Sequence, residues 1–253
     1  MKFLDKPFIP QKKVSHIIID SRIPKDIEYE LKNRNIEIIK TYGCEELYEA
    51  VKYHADMQVC YLGNGDIVVA PNLYEQYKNI LSVYGFNIIK GTNYIKNKYP
   101  YNISYNVALF GEYAIHNFEY TDENIIQYIN NNNIKKINVK QGYCKCCICI
   151  VDENSIITSD KGIYKEVSKY NEIDCLLIQT GSIDLFDMNY GFIGGVSGLI
   201  DCGELAFLGD IRKHPDYNKI KEFVNKRGKK IISLGNNRLM DLGSIMPVMT
   251  RKE

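Results

Sequence analysis

Two short stretches carry side chains able to do chemistry. The first is His54-Ala55-Asp56-Met57. Residues two apart on a β-strand share a face, so an extended segment here presents an imidazole and a carboxylate side by side. The second is Gln141-Gly142-Tyr143-Cys144-Lys145-Cys146, which runs on through Cys147-Ile148-Cys149. Alternation along a strand puts Cys144 and Cys146 on one face, with Cys147 and Cys149 on the other against covering helices. Lys145, beside them, is expected to lower a thiol pKa and raise its thiolate fraction. The eight cysteines of the chain, in a reducing compartment, read as buried small hydrophobes, a reactive thiol or metal ligands rather than disulfides. A zinc site draws on turns that converge its sulfurs, whereas a strand gives one metal only two of these thiols, with further ligands only from His54 or Asp56. No metal and no cofactor is therefore expected.

The elements that must position these residues form an internal repeat with a period of about 40 to 50 residues. Each unit reads helix, apolar strand, glycine turn, inner strand, tight turn, outer strand. The apolar strands are expected at Ile36 to Lys40, Phe86 to Lys90, Lys135 to Lys140, Asp174 to Gln179 and Lys229 to Leu234. The inner strands are expected at Asp56 to Leu62, Tyr105 to Phe110, Cys146 to Val151, Val196 to Asp201 and Ser244 to Val248. Hairpin partners follow at Asp66 to Ala70, Tyr113 to Asn117, Ser155 to Ser159 and Leu205 to Gly209, after turn residues such as Gly63-Asn64-Gly65. The fifth partner is missing at the C-terminal end, and His16 to Asp20 supplies a matching strand from the N-terminal end. That strand is expected to complete the fifth unit and close a ring, leaving no exposed strand edge. The expected organisation is one domain over 1–253, with repeats near 21–70, 71–117, 118–159, 160–209 and 210–248 and the closing strand at 16–20.

Lys and Arg number 32 against 31 Asp and Glu, a net charge of +1. So balanced a chain has no overall field to draw it to phosphate backbones, and nucleic acid is not an expected partner. No apolar run nears the roughly 20 residues that span a bilayer, and Asp5, Pro7 and Pro10 interrupt the opening segment. A cytoplasmic protein without membrane attachment is expected. Oligomeric state is left open.

The stretches QGYCKC, SIITSDKG, YGFIGGVSG and DLGSIMPV, together with the five-unit pattern, resemble the pentein superfamily, and within it an uncharacterised clostridial-type family. The resemblance implies an α/β five-bladed propeller, the fold of guanidino-group-modifying enzymes such as deiminases and amidinotransferases. It also implies a central channel where a cysteine attacks a guanidinium carbon, a histidine moves protons and carboxylates hold the planar cation. His54-Ala55-Asp56 is similar to the H-x-D signature of deiminases. The final unit departs from the family: it reads Asp241-Leu242-Gly243-Ser244-Ile245-Met246, and no cysteine follows Cys202. Two units after His54, however, a permuted arrangement places Cys146 across the channel. The resemblance then implies Cys146 as nucleophile, His54 as acid and base, and Asp56 with Asp241 as guanidinium carboxylates. Channel positions expected to meet substrate are Asn106, Lys145, Ser197, Asp241 and Ser244, and the expected ligand is a small guanidino compound. The missing terminal cysteine supports an alternative, a noncatalytic propeller that binds a ligand or partner.

Overall fold

The computed structural model describes residues 1–251. Its strands fall into five separate sheets, each built on an antiparallel pair, a hairpin in four of them, and extended by a parallel strand that returns through a helix. Val59–Gly63 pairs with Asp66–Val69, which pairs in parallel with Asn87–Lys90. The same order recurs as Ala108–Phe110, Tyr113–His116 and Lys135–Asn138; as Ile148–Ile150, Ser155–Thr158 and Asp174–Leu177; and as Ser197–Asp201, Glu204–Leu208 and Lys230–Leu234. In the fifth sheet Met246–Thr250, near the C-terminal end, pairs with Val14–Ile19, near the N-terminal end, and Val14–Ile19 continues in parallel to Glu37–Lys40. The N-terminal strand therefore completes the fifth unit. A short strand the sequence did not signal, Lys2–Phe3, pairs with the edge of Met246–Thr250 opposite Val14–Ile19.

The helices between parallel strands follow from spacing and capping. Asp122 accepts a bond from Asn124 N at 3.0 Å and starts Glu123–Asn131, whose Ile125 and Ile129, four apart, are buried. Asp160 likewise accepts from Ile163 N at 2.8 Å and starts Lys161–Val167. Each second strand lies between two neighbours and under helices, which explains runs such as Val14–Ile19 with every residue buried. Among the described residues, no helix is long and apolar enough to cross a membrane.

One expectation fails in an informative way. The segments before the first strands of units one and three are not extended: Ala55–Gln58 and Cys144–Cys147 are each a single helical turn. The cause is the loss of a ladder partner. Beyond Val69, Ala70 N still reaches Gln58 O at 2.9 Å, but the chain then turns at Pro71. In unit three the partner strand ends at Thr158, whose hydroxyl bonds Cys147 O, and Asp160 opens a helix. Backbone groups without a sheet partner satisfy themselves locally: Met57 N bonds His54 O and Cys147 N bonds Tyr143 O. The two-residue alternation expected for His54 and Asp56, and for the four cysteines, does not apply.

Candidate active site

The segments leading into the five first strands meet. Strand Ile148–Ile150 packs beside Ser197–Asp201, which packs beside Met246–Thr250, and the turn Cys144–Cys147 lies against Ala108–Phe110. Hydrogen bonds run through all five units in order and return to the start. Asn106 Nδ2 donates to the Asp56 carbonyl at 3.1 Å, and Asn106 Oδ1 accepts from Lys145 N at 2.8 Å and Cys146 N at 3.2 Å. Gly195 N donates to the Cys146 carbonyl at 2.9 Å, and Ser244 N to the Gly195 carbonyl at 2.8 Å. Ser244 Oγ then donates to Asp56 Oδ2 at 2.7 Å.

The Cys146 thiol sits inside this circuit. Its Sγ is 3.2 Å from both Asp56 oxygens, to which it donates, and accepts from Asn106 Nδ2 at 3.1 Å. Burial pushes the thiol well above its usual range, and the Asp56 charge adds to the shift. The Lys145 charge favours the thiolate of Cys146, but burial outweighs it. The buried Lys145 ammonium donates to Ser244 Oγ at 2.9 Å and stands 4.8 Å from the Phe8 ring centre. Burial lowers the Lys145 pKa and raises that of Asp56, while each opposes the shift in the other. The expected action of Lys145 on a thiol is present at Cys149 and outweighed by burial at Cys146, while its hydrogen-bond partner is Ser244 Oγ, which in turn bonds Asp56.

His54, the residue before the helical turn at Ala55–Gln58, is held differently. It is fully buried, and neither ring nitrogen has a hydrogen-bond partner among the described residues. Carboxylate oxygens stand just outside bonding range, Asp241 Oδ1 at 3.9 Å from Nδ1 and Asp20 Oδ2 at 4.0 Å from Nε2. Burial, reinforced by the Arg22 charge, lowers the imidazole pKa to about 3, with the Asp241 backbone acting in the opposite direction. Asp241 accepts from Phe192 N at 2.8 Å and Gly243 N at 3.1 Å. Burial, then the Asp56 charge, raises its carboxyl to about 7. Gly195 is required for this approach, because a Cβ there would overlap the Asp241 carboxylate.

A cavity of about 280 Å³ opens on His54, Cys146 and Asp241. Its walls are Tyr48, Val51 and Tyr143, and the segment 185–192 covers it with Leu185, Met188, Asn189, Tyr190 and Phe192. Of the positions expected to meet substrate, Asp241 lines the cavity. Asn106, Lys145 and Ser244 belong to the circuit, Ser197 is buried with its hydroxyl 3.4 Å from the Gly194 carbonyl, and none of the four lines the cavity. Asp56 does not line it either. Sequence reasoning picked out Tyr190 to Phe192 only as the start of YGFIGGVSG, and missed Leu185 to Asn189, which have no periodicity, and the Asp20–Arg22 pair. Asp20 is fully buried and grips the Arg22 guanidinium with both oxygens, and Arg22 also donates to the Glu49 and Ala50 carbonyls. The same D-x-R pairing recurs at Asp210 and Arg212, a signal visible in the sequence.

His54, Asp56 and Cys146 each present a donor atom, all within 4.8 Å of one another. Helical turns thus bring one thiol together with His54 and Asp56, the further ligands that the sequence offered, and such a mixed N, O and S donor set suits a borderline-soft divalent ion such as zinc better than magnesium or calcium.

Comparison with known proteins places the chain. Residues 18–246 match the model of the family of unknown function DUF6873. The chain belongs to this family. No curated protein sequence matches it. Among solved structures, the inosamine-phosphate amidinotransferase of Streptomyces griseus is similar over 99% of this chain and 98% of its own, at 9% identity and a TM-score of 0.59. The agmatine deiminase of C. jejuni matches over 90% of both chains at 11% identity and a TM-score of 0.55. DDAH from Pseudomonas aeruginosa, solved with citrulline, matches over 88% of this chain and 92% of its own at 8% identity and a TM-score of 0.54. At these identities the likeness is one of fold, and that fold is the pentein one.

Proposed function

We propose that the protein is a guanidino-group-modifying enzyme, a hydrolase or amidinotransferase, acting on a small guanidinium compound in the cavity over Cys146. The observation that carries the reading is the convergence of the Cys146 thiol with His54 and Asp56 within 4.8 Å, beside a cavity floored by Asp241. The hydrogen-bond circuit through all five units supports a single closed ring over the chain, with the cavity at its centre.

Asp241 holds the guanidinium by a charge-assisted bond. The thiol is neutral before ligand arrives, so attack requires proton transfer. The Cys146 proton passes to neutral His54, and the imidazolium forms between the carboxylates of Asp20 and Asp241. Sulfur bonds to the guanidinium carbon, one C–N bond breaks, and His54 returns the proton to the departing amine. The resulting S-alkylthiouronium is released by water or by a second amine, the electron pair of the C–S bond returning to sulfur. Asp56, fixed by Ser244 and Lys145, positions the sulfur.

The test is incubation with arginine, agmatine, methylated arginine and a simple alkylguanidine such as hexylguanidine, assayed for released ammonia or amine and for a thiouronium adduct on Cys146 by mass spectrometry. Cys146→Ala is expected to abolish turnover, by about 10⁴-fold or more. Absence of both product and adduct overturns the enzyme reading. One observation favours a noncatalytic ligand-binding protein instead: Ser244, not a cysteine, stands in the final unit and is itself occupied in bonding Asp56.

A further inference from the structure

We infer that the ligand of this site is a monocation, a guanidinium whose substituent is uncharged and apolar, rather than one bearing an amino-acid or amine end. The inference rests on the guanidino reading above and concerns what that reading leaves open, the rest of the molecule attached to the cation. Asp241 is the only carboxylate among the lining residues, and no lysine or arginine lines the cavity among the described residues. A ligand carboxylate therefore has no cationic partner. Two nearby cations are unavailable to it: the Arg22 guanidinium is occupied by Asp20, Glu49 and Ala50, and the Lys145 ammonium by Ser244 and Gly194. A second ligand ammonium is no better served, since Asp20 is engaged by Arg22 and Asp56 lies behind the thiol.

What the walls offer instead is apolar surface with neutral polar tips. Leu185, Met188 and Phe192 face the cavity with Tyr48, Tyr143 and Tyr190. Met188 and Tyr190 remain 52% and 41% exposed, so the covering segment keeps apolar surface free for a ligand to bury. Burying a charged end against such a wall without a partner costs affinity, while a hydrocarbon tail gains it.

The experiment compares hexylguanidine, agmatine and L-arginine by calorimetric titration of the full chain carrying Cys146→Ala, so that no ligand is consumed. Hexylguanidine is expected to bind about tenfold or more tightly than either of the others. Met188→Lys, at a half-exposed position outside the core, is expected to shift the preference toward arginine by about tenfold. If arginine or agmatine binds the parent as tightly as hexylguanidine, the inference falls and the guanidino reading stands. If none of the three binds, both fall.

Discussion

Cys146 and His54 face the same cavity from neighbouring elements, yet they are held on opposite terms. The sulfur is bonded to Asp56 and Asn106, and those residues belong to a circuit that passes through all five units. The imidazole is buried with no hydrogen-bond partner for either ring nitrogen among the described residues, and carboxylates stand at 3.9 and 4.0 Å. A nucleophile gains from a position that cannot drift, since misplacement of the reacting atom is costly. A proton carrier gains from an environment that is incomplete until the reaction supplies the charge. The satisfied half stabilises the fold, and the unsatisfied half costs stability, as buried polar groups without partners do.

The sharpest way to break this contrast is at His54. Replacing it with leucine fills the site with an apolar side chain and removes two unsatisfied nitrogens. His54→Leu is expected to lower turnover by about 10²- to 10⁴-fold while raising stability by about 1–2 kcal/mol. Urea denaturation alongside the product assay measures both. A variant that loses stability as well as activity would show that the imidazole has a structural partner and that the contrast is false.

The opposite response is expected on the bonded side. Lys145→Met removes the cation buried with Asp56 and Ser244, leaving a carboxylate without compensation. Loss of about 3–5 kcal/mol is expected at pH 8. At pH 5 the loss should shrink, because the Asp56 pKa is already raised by burial and an uncompensated carboxylate takes up a proton more readily still. Equal losses at both pH values would mean that Lys145 contributes packing against Phe8 rather than charge.

Much of this arrangement was legible in the sequence, and the remainder was not for identifiable reasons. The third strands fall within the expected runs, as Asn87–Lys90 does within Phe86 to Lys90, because a short β-branched pair such as Ile88-Ile89 ahead of a glycine turn is a local strand signal even at a half-exposed sheet edge. Counting units from His54 led to Cys146, and the two do lie together. The helical turns at 55–58 and 144–147 were illegible, since they depend on where a partner strand stops, at Pro71 in one case and Thr158 in the other. Lys145 and Asn106 lie outside the cavity lining for a related reason. Which side of a turn a residue faces decides whether it meets the ligand or its neighbours, and alternation gave the wrong period. The segment 185–192 carries apolar residues in no regular order, so nothing in its pattern marked it as a cavity wall.

The finest test of the two halves is the dependence of stability on pH, where His54 and Asp241 act in opposite directions. The His54 pKa falls to about 3 on folding, from an ordinary value of about 6.5. Below that ordinary value the unfolded chain binds a proton the native state refuses, so its contribution is lost as pH falls. The Asp241 carboxyl rises to about 7 from an ordinary value of about 3.9. Here the native state keeps a proton the unfolded chain releases, so its contribution is lost as pH rises from about 4 toward 7. Between about pH 4 and 6.5 the two slopes, each at most about 1.4 kcal/mol per pH unit, oppose each other. Relative to the parent, Asp241→Asn is therefore expected to tilt stability upward with pH in that window, and His54→Leu to tilt it downward. Urea denaturation at pH 4.5, 5.5 and 6.5 reads both tilts. Parallel profiles for the two variants would mean that the carboxyl and the imidazole share one proton, and that Asp241 belongs with the bonded half.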